Sequence, residues 1–432
     1  MKATAGVRGS AAATDGGPRD RLFNRDFVLL WQGQLVSQLG SQAFVVALMY
    51  WTMEVTGSAT VMALLMIGAT LPAIALGPLA GAIADRHSRK AIIVLGDIAR
   101  GALMVGVAWV AAANHTRPHL VVAVLFAAAI VGGIIGAVFN PAVGAVIPDL
   151  VPASRLTAAN SLSQLSSHGA VVLGQAAGGL LYRLLGAPIL FLIDGVSFLL
   201  SAASEALMKL PAVPPGARAS GSATRAYLAD ARAAIACVWR NPALRALVLT
   251  ATVLNFVFTP VFVLLPFFVR DTLHADAAWY GFLLAGLSAG SIAGITAAGF
   301  TRLDGVRRKR TLIGAFLSLP ALLVLLALTT GVLQALLLVF SIGLLSGAIN
   351  VFVITLVQLE SAPGMRARVL SIVFALAQAA MPAGMALGGI AGDLSGMRVA
   401  SIFAVFGAAG VLACALALRS APLRRLLERS AA

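Results

Sequence analysis

A chain of 432 residues that is 60% apolar and only 11% charged cannot clothe a soluble globule, whose surface chemistry needs about 25% charged residues. Its formal net charge of +15 would suggest nucleic acid in a soluble protein, but the placement of that charge excludes such a partner. Cys237 and Cys414 fall in different kinds of segment and make no disulfide framework.

Residues 1–26 hold five basic residues and no apolar block, which reads as a cytoplasmic tail rather than a signal peptide. Six apolar stretches follow, each near the roughly 20 residues needed to cross the hydrocarbon. They lie at 27–52, 59–84, 91–112, 120–146, 160–185 and 188–208, and form an N-terminal bundle over 27–208. Residues 209–243 are a Pro-, Gly- and Arg-rich linker whose amphipathic run, 224–240, reads as a helix against lipid headgroups. A second set lies at 244–269, 278–300, 311–330, 333–357, 369–392 and 399–418. It forms a C-terminal bundle, 244–418, before a cytoplasmic tail, 419–432.

Twenty-six of the 31 lysines and arginines occupy alternate gaps between these stretches. The opposite gaps hold only Arg117, Arg183, Arg270 and Arg398, and Arg100 lies inside a stretch. Basic loops stay on the cytoplasmic side, so both termini are expected inside. The chain therefore reads as an all-α polytopic membrane protein: twelve transmembrane helices in two pseudo-symmetric six-helix bundles.

Duplication supports that division. Gly174, Gly178, Gly179 and Gly186 recur as Gly384, Gly388, Gly389 and Gly396, an offset of 210 residues. Pro152 with Arg155 recurs as Pro363 with Arg366, and Gly81 before Arg89 and Lys90 as Gly299 before Arg307 and Arg308. Parallel repeats of this kind imply a transporter whose site lies between the halves near the midplane.

The loop after the second stretch reads Gly77-Pro-Leu-Ala-Gly81-Ala-Ile-Ala-Asp85-Arg86-His87-Ser88-Arg89-Lys90. It resembles the signature loop of the major facilitator superfamily, with Ser88 where the family has Gly, so a distorted turn is expected. The resemblance makes Gly81, Asp85, Arg86, Arg89 and Lys90 a conformational latch: Asp85 meets a helix terminus, and the basic residues bridge to the other bundle. The glycines around Gly174 resemble the family's antiporter motif, with Gln175 in place of Pro, and act as bundle packing or as a bend. Phe27 to Gln34, Thr56-Gly57-Ser58, Asn140-Pro141-Ala142, Pro148 to Pro152, Asp194 to Phe198 and Arg366 to Val369 extend the match over 22–418. They resemble the branch of enterobactin-exporter-like and macrolide-efflux-like proteins.

Gln34, Gln38 and Gln42 repeat every four residues, beside Ser37 and Ser41. Amides facing lipid are costly, so this stripe faces another helix or a wet cavity. The resemblance places it on the substrate cavity, opposite Asn255, Phe256 and Phe262. Ordinary interhelix packing is the other reading. For proton coupling the intramembrane candidates are Glu54, His168, Asp97, Arg100 and Asp194, with Glu205 beside the last. A lone mid-bilayer charge costs about 2.5–3.5 kcal/mol, so Asp97 and Arg100, three apart, are expected to pair. A structural ion pair remains as an alternative to a relay. The family's frequent arginine on its fourth helix is absent from 120–146.

No phosphate-binding loop, metal-ligand spacing or nucleophile constellation is present, so neither cofactor nor enzymatic activity is expected. The expected function is secondary export of amphipathic small molecules, drug-, macrolide- or siderophore-like, by proton antiport. The protein would act as a monomer amid membrane lipid in a bacterial cytoplasmic membrane. An importer or lysophospholipid flippase on the same scaffold is the alternative, followed by an integral membrane enzyme.

Overall fold

Asn24 and Gly57 set the limits of the first helix. The Asn24 carboxamide accepts from the Phe27 amide, and Gly57 turns the chain in the left-handed region at φ 60°. In a computed structural model, which describes residues 22–114, 116–209, 223–301, 305–361 and 365–428, every regular element is helical. The side chains of 77–86 and 223–231 lie outside the described set.

The first half comprises α1 (Arg25–Thr56), α2 (Ala59–Arg86), α3 (Arg89–Ala113), α4 (Pro118–Leu150), α5 (Leu156–Leu185) and α6 (Ala187–Ala206). The surface helix α7 (Ala223–Arg240) follows. The second half comprises α8 (Pro242–Phe267), α9 (Ala277–Phe300), α10 (Gly305–Ala327), α11 (Val332–Glu360), α12 (Arg366–Gln378), α13 (Met381–Leu394) and α14 (Val399–Ala417), with α15 (Ala421–Glu428) after it. Ten apolar spans long enough to cross a membrane occur among the described residues. Two further helices, α1 with 32 residues and α5 with 30, are as long but carry the glutamine and serine stripes that lower their hydropathy.

Side chains punctuate these helices in predictable ways. Ser58, Ser88, Asn241 and Asp276 each accept a hydrogen bond from a first-turn amide of the helix that follows. Ser88, expected to distort its turn, instead caps α3. Proline explains the main departure from the sequence reading. The stretch 369–392 is two helices, interrupted at Ala379 and Ala380, because Pro382 supplies no amide and disfavours helix just before it.

Two peripheral segments make contacts beyond the sequence reading. The linker helix α7, expected against lipid headgroups, packs on α8 and α12 and buries Ala234 and Val238. The expected C-terminal tail contains α15, whose Leu423, Leu426 and Leu427 are buried against α8 and α10. Their apolar stripe recurs at helical spacing in only eight residues, too short to stand out in the sequence. Most of the N-terminal tail, 1–21, and residues 210–222 of the linker lie outside the described residues.

Candidate functional site: the interface between the halves

The duplicated glycines occupy equivalent places in the two halves. A Cβ on Gly174 would sit 2.6 Å from Gln42 Cβ, and one on Gly178 2.7 Å from Ala43 Cα, both on α1. In the second half Gly384 abuts the Phe256 carbonyl and Gly388 abuts Pro260, both on α8. The third glycine of each set faces the other half. Gly179 of α5 meets Gly281 of α9, and Gly389 of α13 meets Ala59 and Thr60 of α2. Helix backbones can come this close only where no side chain intervenes.

Polar contacts close the same end, the one opposite the basic loops. Asp393, on the last turn of α13, accepts from the Ala59 amide at 2.8 Å, the Thr60 amide at 3.2 Å and the Ser58 hydroxyl at 2.7 Å. It thus caps the start of a helix in the other half, where the helix dipole favours an anion. Arg183 of α5 pairs with Asp276, the N-cap of α9, at 2.8 Å. These two contacts are repeat-related: the 210-residue offset carries Arg183 to Asp393, and 218 residues carries Ser58 to Asp276. With side chains 61% and 41% exposed, the Arg183–Asp276 pair is worth at most about 1 kcal/mol. The Asp393 cap, with two backbone donors, is the stronger element. Nearer the midplane, the Ser288 hydroxyl donates to Gln175 Oε1 at 2.9 Å, and Gln175 Nε2 donates to Gln42 Oε1 at 3.3 Å. Gln175, which replaces a proline in the motif, thereby joins α5 to α9.

The basic end is arranged differently. Arg89 binds Asp149 at 2.7 Å and the Ala145 carbonyl at 2.9 Å, both on α4 of its own half. Lys90 donates to the Ala206 and Met208 carbonyls, again within the first half. The expected bridge from these residues to the second half is therefore not formed. Gly81, Asp85 and Arg86 lie on the last turns of α2, and their surroundings fall outside the described residues.

Each half holds a chamber among repeat-equivalent helices. One, of about 310 Å³, lies among α1, α4 and α5 and presents Gln34, Gln38, Asn160, Gln164 and Ser167. The other, of about 460 Å³, lies among α8, α11 and α12 and presents Phe258, Phe262 and Phe374 with Asn255, Asn350 and Gln378. The first chamber also carries Phe27 and Trp31, so both combine aromatic rings with amides, and phenylalanines are more numerous in the second. Two residues expected here are elsewhere. Gln42 is engaged with Gln175 at the α1–α5 contact, and Phe256 packs on Phe406 of α14, 6.0 Å between ring centroids. Phe256 and Phe258 are two apart on a helix, so only one can face the chamber.

The ionisable candidates separate. Glu54, at the end of α1 away from the basic loops, accepts a hydrogen bond from the Tyr182 hydroxyl. His168 is exposed on α5 and lines neither chamber. Asp97, Arg100, Asp194 and Glu205 come together where α1, α3 and α6 meet, beside the polar chamber. The Gln34 amide donates to Glu205 Oε1 at 2.8 Å, and the Ser41 hydroxyl donates to Asp194 Oδ1 at 3.0 Å. Sequence reasoning missed the Asp393 cap and the Gln34–Glu205 bond; the repeat offset from Arg183 could have pointed to the former.

The profile of the major facilitator superfamily matches residues 30–372. The chain belongs to this superfamily. It is similar to macrolide efflux protein A of Streptococcus pyogenes, 29% identical over 246 residues, 57% of this chain and 59% of that protein. The chain thus spans little more than half the length of that relative. It also resembles the multidrug efflux pump Tap of Mycolicibacterium fortuitum, 26% identical over 379 residues, covering 86% of this chain and 90% of Tap. Among solved structures it superimposes on a variant of the nucleoside transporter NupG with a TM-score of 0.74 at 11% identity, over 91% of this chain and 99% of that one. That likeness concerns the fold alone. The chain shares the helical, multi-pass architecture of that superfamily.

Proposed function

We propose that this transporter exports amphipathic small molecules, of the drug, macrolide or siderophore type, from the cytoplasm by proton antiport. The observation that carries the reading is a chamber in each half, which we take as opposite walls of one substrate path: Gln34, Gln38 and Ser167 on the α1–α4–α5 wall, and Phe258, Phe262 and Phe374 beside Asn255 and Asn350 on the α8–α11–α12 wall. A molecule with a polar and an apolar side satisfies both walls, whereas a uniformly polar nutrient would leave the aromatic wall unmatched. Similarity to macrolide and multidrug efflux proteins supports the outward direction. With the basic loops cytoplasmic, the glycine and Asp393 contacts close the outer side, so the cavity opens inward and receives substrate there. The halves then rock to break that seal, and the loop containing Asp85 and Arg86 closes the cytoplasmic side. The protein acts as a monomer in a bacterial inner membrane with both termini inside.

Erythromycin accumulation in everted membrane vesicles tests this reading. The expected result is respiration-driven uptake that collapses when a protonophore dissipates the proton gradient. Uptake that persists under protonophore would remove the antiport assignment, and absence of uptake would remove macrolides from the substrate class.

A further inference from the structure

The cluster beside the polar chamber combines burial, charge imbalance and access. Asp97 and Glu205 are fully buried and Asp194 nearly so, and Arg100 is mostly enclosed. Glycines create the meeting point: Gly33 and Gly40 bring α1 against α6, and Gly101 with Gly195 brings α3 against α6. The charged groups there are Asp97 and Arg100 of α3 and Asp194 and Glu205 of α6. Facing them, α1 contributes Gln34, Ser37 and Ser41, and α4 contributes Phe139 and Asn140.

Their hydrogen bonding is incomplete. Among the described residues, both Asp97 oxygens, Ser201 Oγ, Glu205 Oε2, and the Nε and Nη2 of Arg100 make no hydrogen bond of good geometry, although Ser201 and Glu205 lie beside Asp97. Arg100 Nη1 approaches Asp97 Oδ1 only to 3.8 Å, and its guanidinium stacks 3.7 Å over the Phe139 ring. A structural ion pair selected for stability would close this gap, because an unmatched buried charge is costly. Three carboxyl groups share one guanidinium, so full ionisation leaves two uncompensated negative charges inside the bundle. Binding protons is the way this site reaches neutrality.

The site is also connected. A polar chamber of about 340 Å³, lined by Gln34, Ser37, Gln38, Ser41, Arg100 and Asn140, adjoins the cluster. Gln34, Gln38 and Ser167 line both this chamber and the substrate cavity. We propose that Asp97 and Glu205 are the proton-carrying pair of the transporter, exchanging protons with the adjoining chamber past Gln34, which lines it and donates to Glu205 Oε1. This rests on the antiport reading above and supplies the residues for it. With the cavity open to the cytoplasm, a carboxyl O–H of the pair breaks and its proton passes to a chamber water. The site passes from neutral, with two of its three carboxyls protonated, to one net negative charge, with two carboxylates sharing Arg100. With the cavity open to the outside, a hydronium returns a proton to the carboxylate, leaves a water behind and restores neutrality.

The test uses the full-length protein and the variants Glu205→Gln and Asp97→Asn, each first checked for monodispersity. In pH-difference infrared spectra of purified protein, which need no substrate, wild type is expected to show a protonated-carboxyl stretch that titrates. Each variant is expected to lose part of it. In proteoliposomes, an imposed gradient of one pH unit should drive about tenfold erythromycin accumulation in wild type at one proton per substrate. In the variants that accumulation should vanish, while gradient-free counterflow persists. Unchanged infrared bands, retained gradient-driven accumulation, or loss of counterflow together with accumulation would each overturn the proposal, the last by making the role structural. If wild-type accumulation ignores the pH gradient, the antiport reading fails instead, and the infrared result still decides whether the pair exchanges protons with the medium.

Discussion

Gly179→Leu is expected to abolish erythromycin uptake in everted vesicles while the protein still inserts and purifies as wild type. A Cβ at this position would lie 2.6 Å from the Ala277 carbonyl oxygen and 2.9 Å from the Gly281 Cα. Both obstacles are backbone, so neither can rotate away. Overpacking of this kind costs about 1–3 kcal/mol within a core, and more where the neighbour is rigid. Here the strain falls on one conformation only, because α5 and α9 are in contact when this end is closed. The halves therefore remain parted, and the cycle stops. Gly281→Leu should behave alike, since its Cβ would meet the Gln175 carbonyl at 2.5 Å. Gly106→Leu, with nothing within 4 Å of its Cβ, is the control and should transport normally. Wild-type uptake by the Gly179 variant would show that this contact is not part of the seal.

The second large effect is expected at Asp393. Replacing it by Ala removes acceptors for two amides and one hydroxyl at the start of α2. Loss of a cap of this type costs about 1–2 kcal/mol, which is roughly a 5- to 30-fold change in the balance between closed and open. Spin labels at Arg117→Cys and Arg398→Cys, in a chain lacking Cys237 and Cys414, lie one on each half at this end. The distance between them should shift toward the longer population in Asp393→Ala. Asp393→Asn retains acceptor capacity without charge and should fall between. Arg183→Ala should shift the same distance less, because its ion pair is exposed. Identical distance distributions in all four proteins would show that the cap does not set this equilibrium.

Much of this was legible in the sequence, for identifiable reasons. The charge alternation and length of apolar runs specify bundles because lipid tolerates only satisfied backbone, which leaves helices as the spanning element. The glycine sets announce close packing, yet their spacing cannot tell Gly178, which meets its own half, from Gly179, which meets the other. One residue turns the helix by about 100°, and only the assembled structure says which direction faces the partner. Gln42 and Phe256 were misplaced on the cavity for the same reason. Arg89 and Lys90 were expected to reach the second half; instead they are satisfied by Asp149 and by backbone carbonyls of the first half. The cluster around Asp97 was half visible. Its two charges at i and i+3 suggested a simple pair, whereas Asp194 and Glu205 arrive from α6, about a hundred residues away.

If the two halves rock about a cavity, one end opens as the other closes. Two distances measured on the same protein test it most directly: Arg117→Cys with Arg398→Cys at one end, and Arg155→Cys with Arg366→Cys at the basic end. When pH or erythromycin shifts the equilibrium, one distance should lengthen in proportion as the other shortens. Distances that lengthen together, or a basic end that stays fixed while the opposite end opens, would contradict alternating access in this protein.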